Sequence, residues 1–259
     1  MSRDAQRPPD PDVWQAQSLR LISFPVEPQH VVSQNWWHDL AGVDRERRVE
    51  KKLEVQEQGV FEGLSLSLSI DLLRLQWIVA PRLSADNLPE GPPILGPFLQ
   101  WKDWFRNHMH RWLAMSPPIK RLAFAGVLLQ TVESREAGYA MLDRYLGSVD
   151  IDPQSTDFLY RINRRVPSRT DVPELHVNRL TTWSVGKFVV VHQPLPGLAD
   201  QNAAQQFAGS ETYACVLEFD INTVPEPADR VLPCEALPRV FDELVELGVD
   251  IATRGDIRA

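Results

Sequence analysis

Leu64-Ser-Leu-Ser-Leu-Ser-Ile70 alternates apolar and polar residues without a break. Successive side chains of a strand point to opposite faces, so the run specifies a strand with one buried and one wet face. After Asp71 the apolar positions change parity, to Leu73, Leu75, Trp77 and Val79. No regular strand continues through such a change, because a slip of one residue turns its core face to water. A turn or bulge must therefore sit near Ile70–Leu72, and a tight turn is favoured. Upstream, RVEKKLEVQEQ (48–58) reads as another strand, turning back at Glu62-Gly63. The chain must contain an antiparallel meander, here read as three-stranded.

The remaining segments extend this pattern in both directions. LRLISFPVE (19–27) reads as a strand. Pro28 opens a helix, PQHVVSQNWWHDLAG (28–42), that stops at Gly42 and carries Val32, Trp36 and Leu40 as its buried stripe. A Pro/Gly-rich loop (81–97) leads to FLQWKDWFRNHMHRWLAM (98–115), a helix with Trp101, Trp104, Phe105, His108 and Trp112 on one face. IKRLAFAGVLLQTV (119–132) is apolar on both faces, which places it at the centre of a sheet. REAGYAMLDRYL (135–146) predicts a short helix ending at Gly147, followed by strands over 148–166, 174–193 and 211–222. A polar stretch, 193–210, separates the last two. The closing helix turns Leu237, Val240, Phe241, Leu244, Gly248 and Ile251 inward and Arg239, Asp242, Glu243 and Glu246 outward. The order β-α-β-β-β-α-β-α-β-β-β-α has long consecutive strands and few crossovers. It predicts an α+β fold, a mainly antiparallel sheet with amphipathic helices on one face. Each half holds a strand meander and a helix, the layout a duplication would leave.

A chain of 259 residues buries roughly 70% or more of its unfolded surface, enough for a core without metal or disulfide staples. Residues 1–13 are charged and Pro-rich, which predicts a disordered tail, with 14–259 as a single domain. The first residues lack the apolar core of a signal peptide, and no run approaches the ~18 apolar residues of a membrane span. Cys215 and Cys234 form no C-x-x-C pair. These features predict a soluble, cytoplasmic protein with no membrane partner.

The helix with spaced Trp101, Trp104 and Trp112 is followed by an Arg-led strand, Arg121-Leu-Ala-Phe-Ala-Gly-Val-Leu. A later strand ends in LEFDIN, and the last helix carries VFDELVEL. This order of parts resembles a sporadically distributed bacterial family of similar length whose members have no assigned function. In that family the middle strand usually reads Arg-aliphatic-Gly-aliphatic-Arg-aromatic-x-Asn. Here Arg121 and the apolar alternation match, while Ala123, Ala125, Gly126 and Leu128 depart from it. The resemblance implies a mobile accessory gene, of the kind found in phage-defence or toxin–antitoxin systems, and carries over no catalytic residue.

Most catalytic chemistries find no anchor. His108 and His110 are two apart, so they do not share a helix face, and no H-x-x-x-H is present. His108 reads as a hydrogen-bonded core histidine, and His110 as part of a wet face with Asp103 and Arg106. No nucleophile elbow, P-loop or dinucleotide fingerprint occurs. Cys215 falls on the apolar parity of its strand and reads as an inert buried thiol, and Cys234 as structural, close to a helix start. No cofactor is called for. Two acidic pairs, Asp150/Asp152 and Glu218/Asp220, would each share a strand face. Brought together, they would hold Mg²⁺ or Mn²⁺ for phosphoryl transfer; apart, they are solvent-facing rows.

The most uneven charge lies in 160–187, where six cations (Arg161, Arg164, Arg165, Arg169, Arg179 and Lys187) meet two acids, within a chain of net charge −8. Read as one basic face, these residues would bind phosphates, pair with the chain's own carboxylates such as Glu174 or Glu218, or meet an acidic protein. Residues 211–259 carry eleven acids against four arginines, so the chain holds an acidic surface of its own. Taken with the resemblance, the expectation is a non-catalytic binding or scaffold protein acting on a protein partner or a second copy. A nucleic-acid binder using 160–187 and a metal-dependent phosphoryl-transfer enzyme are the alternatives.

Overall fold

In the computed structural model, Leu66, Leu68 and Ile70 point into the core, each 2% exposed or less, with the intervening serines on the opposite face. The structure describes residues 13–31, 34–52, 54–83, 91–189, 211–225 and 230–256. The first half contains β1 (Gln15–Pro25), α1 (Pro28–Val31), α2 (Trp36–Ala41), β2 (Arg47–Lys51), β3 (Glu54–Phe61), β4 (Leu64–Ile70) and β5 (Leu75–Ala80). A two-residue β6 (Gly96–Pro97) leads into α3 (Phe98–Leu113). The second half contains β7 (Ile119–Val132), α4 (Arg135–Asp143), β8 (Leu159–Pro167), β9 (His176–Val189), β10 (Glu211–Thr223) and α5 (Leu237–Arg254).

The strands form one sheet, ordered β2-β3-β4-β5-β1-β7-β10-β9-β8, with β6 hooked onto the start of β1 and every pair antiparallel. The fold is α+β, and the strand order repeats. In each half a long first strand (β1, β7) is followed by helix, and a meander (β3-β4-β5, β8-β9-β10) then returns its last strand to pair with the first. The two first strands form the seam, with Leu21 opposite Phe124.

All the helices cover one face. On β7 that face carries Leu122, Phe124 and Leu128, fully buried. Phe105 of α3 and Phe241 of α5 meet Phe124 at ring-centre distances of 6.1 and 5.9 Å. Gly126 makes room beside it: a Cβ there would lie 2.6 Å from the Phe219 ring. Six of the eight tryptophans are core residues, Trp14, Trp36, Trp37, Trp77, Trp112 and Trp183, each 3% exposed or less. One apolar cluster runs from Trp14 to Ala252.

The turn demanded by the parity change is a hairpin at Asp71–Arg74. The Asp71 carboxylate accepts the backbone N–H groups of Leu73 (2.8 Å) and Arg74 (3.0 Å), and the ladder resumes with Leu75 opposite Ile70. Leu73 belongs to the turn and is 70% exposed, so it is no core residue. The Glu62-Gly63 turn is also present, both residues at positive φ as a two-residue hairpin of this twist requires.

Other expectations need correction. The run 48–58 is two strands, so the meander has four strands rather than three. The helix expected over 28–42 is broken into α1 and α2 around Gln34, although Gly42 does cap it in the left-handed region. Val32, residues 190–210 and most of the expected N-terminal tail lie outside the described residues. The expected strand over 148–166 begins only at Leu159. Helix α3 is rotated from the tryptophan stripe: Phe98, Phe105, Met109, Trp112 and Leu113 are buried, while Trp101 and Trp104 are half-buried. Trp104 stays at the boundary because its indole N–H donates to Glu62 Oε2 (2.8 Å), which an interior position would forbid. Glu243 of α5, expected outside, is 5% exposed and accepts from Ser168 Oγ (2.5 Å) and the Arg169 backbone N–H (2.6 Å).

This rotation of α3 makes a prediction. Trp112→Ala should cost about 3–5 kcal/mol in urea melts, as for a large ring removed from a core. Trp104→Ala should cost about 1–2 kcal/mol, since less of its ring leaves water on folding. Equal losses would contradict this placement of the helix.

Candidate binding surface

Alternation divides the cations of 160–187 between the two faces of the sheet. On β8, Leu159, Arg161, Asn163 and Arg165 take the uncovered face, and Tyr160, Ile162, Arg164 and Val166 the helix face. Arg164 Nε donates to Asp256 Oδ1 (2.6 Å) and its Nη2 to Oδ2 (2.7 Å), while Tyr160 donates its hydroxyl to Oδ2 (2.8 Å). Asp256 follows the end of α5, its side chain 4% exposed. The Arg164 hydrogen bonds hold its carboxyl below the usual range, against the opposing effect of burial. Arg179 of β9 also faces the helices, where burial lowers its pKa and the field of Asp250 and Asp256 counters that. Arg169 lies 3.7 Å from Asp250, and Lys187, at the far end of β9, is 2.7 Å from Glu211.

The six cations therefore do not form one basic face. Arg164, Arg169 and Lys187 pair with acids from 211–256, the chain's own acidic segment, while Arg179 feels the field of Asp250 and Asp256 with its Nε buried and without an acceptor. Of the six, Arg161 and Arg165 remain on the uncovered face. Arg161 makes no ion pair or hydrogen bond among the described residues, so neither Glu174 nor Glu218 is its partner.

The acidic pairs do not assemble either. Asp150 and Asp152 lie in the loop before β8, where Asp152 caps a turn by accepting the Gln154 N–H (2.9 Å). Glu218 and Asp220 sit mid-way along β10. Among the described residues no three His, Cys, Asp or Glu side chains are grouped to hold a metal. The four-carboxylate arrangement weighed as an alternative is thus not assembled, because 148–158 is not the strand that would have presented its half. His108 lies against Phe61 and Trp104, with Nδ1 2.8 Å from the Trp104 carbonyl oxygen. His110 Nε2 is 2.9 Å from Asp242 of α5 rather than on a free face. Cys215 donates to the Gly138 carbonyl (3.4 Å), and burial pushes its thiol up to about 12. Cys234 is exposed, in a short 3-10 turn before α5.

The uncovered face holds the feature that the sequence did not reveal. Strand β7 is apolar on both faces, yet helices cover only one. Its other face presents Ala123, Ala125 and Val127, and the last two, with Ile22 of β1, floor a trough of about 680 Å³. Its length runs from Arg74 of the Asp71–Arg74 hairpin and Gln76 of β5 to Leu159 and Arg161 of β8. Strand register sets the charges along it. One row reads Arg161, Thr182, Glu218, Val127 across β8, β9, β10 and β7; the next reads Leu180, Asp220, Ala125, Arg20 across β9, β10, β7 and β1.

Three of these charged groups lack internal partners among the described residues. Arg161 and Glu218 are exposed and make no ion pair or hydrogen bond, and Arg20 Nε is shielded from water without an acceptor. Asp220 accepts from Asn222 Nδ2 (2.8 Å). Asn222 in turn accepts from Arg121 Nη2 (2.6 Å), whose guanidinium lies 4.9 Å from the Phe24 ring centre. This network ties Asp220 of β10 to β7 and β1 on the same side of the sheet. Arg20 was legible only as the lone charge in LRLISF, a signal that alternation alone does not separate from an ordinary wet position.

No protein-family model matches the chain, and no curated protein matches it. No helix among the described residues is long and apolar enough to cross a membrane. The trough is open and mixed in charge, with an apolar floor.

The Asp256 cluster gives a pH prediction. A carboxyl whose folded pKa is depressed stabilises the protein above its unfolded value, about 3.9 for Asp, and the stabilisation is lost as pH falls through the lower folded value. Asp256→Asn should therefore cost about 3 kcal/mol at pH 7, because it breaks a largely buried pair. That difference from wild type should shrink in melts taken below about pH 4. A pH-independent difference would contradict the assignment.

Proposed function

We propose that the chain is a non-catalytic recognition protein that docks a protein partner on the uncovered face of its sheet, at the trough between β5 and β8. The observation that carries this reading is the contrast in pairing. Arg164, Arg169 and Lys187 are answered by the chain's own carboxylates, whereas Arg161, Glu218 and Arg20 Nε face the trough unanswered. Charges held apart over an apolar floor gain partners only when another molecule supplies them. The unpaired set contains both signs, which suits a protein surface better than a uniformly anionic nucleic acid. The bacterial accessory setting enters this proposal through the layout resemblance alone.

A photo-activatable residue at Thr182, inside the trough, tests the reading in cells of the native host. The expected outcome is a discrete protein adduct, lost on adding Arg161→Glu and absent when the probe is moved to Glu246 on the outer side of α5. Adducts to nucleic acid, or equal labelling from both positions, would overturn it.

A further inference from the structure

The order and spacing of the trough's charges define the partner segment more closely, an inference that rests on the reading above. Crossing the sheet, the uncovered face presents a cation on β8 (Arg161), anions on β10 (Glu218 and Asp220) and a cation on β1 (Arg20). Each step skips one strand, β9 or β7, whose residues there are Thr182, Leu180, Val127 and Ala125. Adjacent strands lie about 4.8 Å apart, so each step is about 9.6 Å.

A segment that answers this row must offer acidic, basic and acidic groups on one side at nearly that interval. An extended strand repeats a face every two residues, about 6.7 Å, and is out of step. A helix regains a face at about 10.5 Å only after seven residues and is about 10–12 Å wide. Polyproline II has three residues per turn and rises about 3.1 Å per residue, so residues three apart share a side about 9.3 Å from one another. We propose that the trough takes a polyproline-type segment of the partner with the pattern acidic-x-x-basic-x-x-acidic. Its carboxylates meet Arg161 and Arg20, its central cation meets Glu218 and Asp220, and apolar residues between them rest on Ala125, Val127 and Leu180. Such a segment is already ordered before binding, so docking costs it little conformational entropy.

Two fluorescein-labelled peptides test the proposal by anisotropy on the full chain: Glu-Pro-Pro-Lys-Pro-Pro-Glu and its charge-swapped form Lys-Pro-Pro-Glu-Pro-Pro-Lys. The wild type should bind the first at least about tenfold more tightly, with the preference shrinking as salt rises. Arg161→Glu should remove most of that preference, and Arg161→Glu combined with Glu218→Arg should abolish it. Both side chains are exposed, so the variants should keep the wild-type melting temperature; Arg161→Gln and Glu218→Gln serve if a charge reversal fails to fold. Equal affinity for the two peptides, no binding at millimolar concentration, or equal binding when Gly-Ser replaces the prolines would overturn the proposal. If the Thr182 probe still captures a protein while the peptides fail, only this inference falls. If the probe also fails, the docking reading falls with it.

Discussion

Phe124 stands where β7, β10, α3 and α5 meet, and its ring is touched from three sides by Phe105, Phe219 and Phe241. The glycines at 126 and 248 make this crowding possible: a Cβ at 248 would lie 3.1 Å from the Phe124 ring. The bulk that fixes the helices is thus concentrated on one side of β7. Its other side has Ala123 and Ala125 in the equivalent places, too small to hold a second helical layer. One strand, large on one face and small on the other, accounts for both the helical cover and the bare trough.

Electrostatics follows the same division. On the covered face several charged groups occur in closed sets, such as Glu57 with Arg45 and Arg48, or Asp256 with Arg164 and Tyr160. Burying any of them alone would be costly, so each arrives with its partners. On the bare face water bears that cost for the exposed Arg161 and Glu218, which persist unpaired at little expense. The local excess of cations in 160–187 was therefore a poor guide to the surface, because alternation sends consecutive arginines to opposite sides. Arg164 and Arg165 are adjacent in sequence and face different surroundings.

The sheet was legible because its signals are local. The alternation at 64–70, the parity change at Asp71 and the Glu62-Gly63 turn each follow from a few residues. The face buried by α5 was equally clear, apart from Glu243, whose inward position depends on the distant Ser168 and Arg169. The trough was not legible, since it depends on Ile22, Ala125 and Leu180 coming from three strands far apart in sequence. The rotation of α3 was hidden for a similar reason, since the Glu62 that holds Trp104 belongs to another element. The apolar run of β7 pointed correctly to the centre of the sheet, but could not say which of its faces would remain bare.

The seam between the repeated halves bears on how the chain is made. Strands β1 and β3 to β5 close a sheet among themselves, with β1 paired to β5, before any residue of the second half is needed. During synthesis the other edge of β1 waits, its ladder groups unsatisfied, until β7 has been translated about a hundred residues later. An unpaired apolar edge is a template for the wrong strand as well as the right one. Because β7 and β1 play matching parts in the two halves, a β1 edge from a neighbouring nascent chain would present much the same apolar row. Vectorial folding of this chain is therefore a race between the arrival of its own second half and capture by another first half.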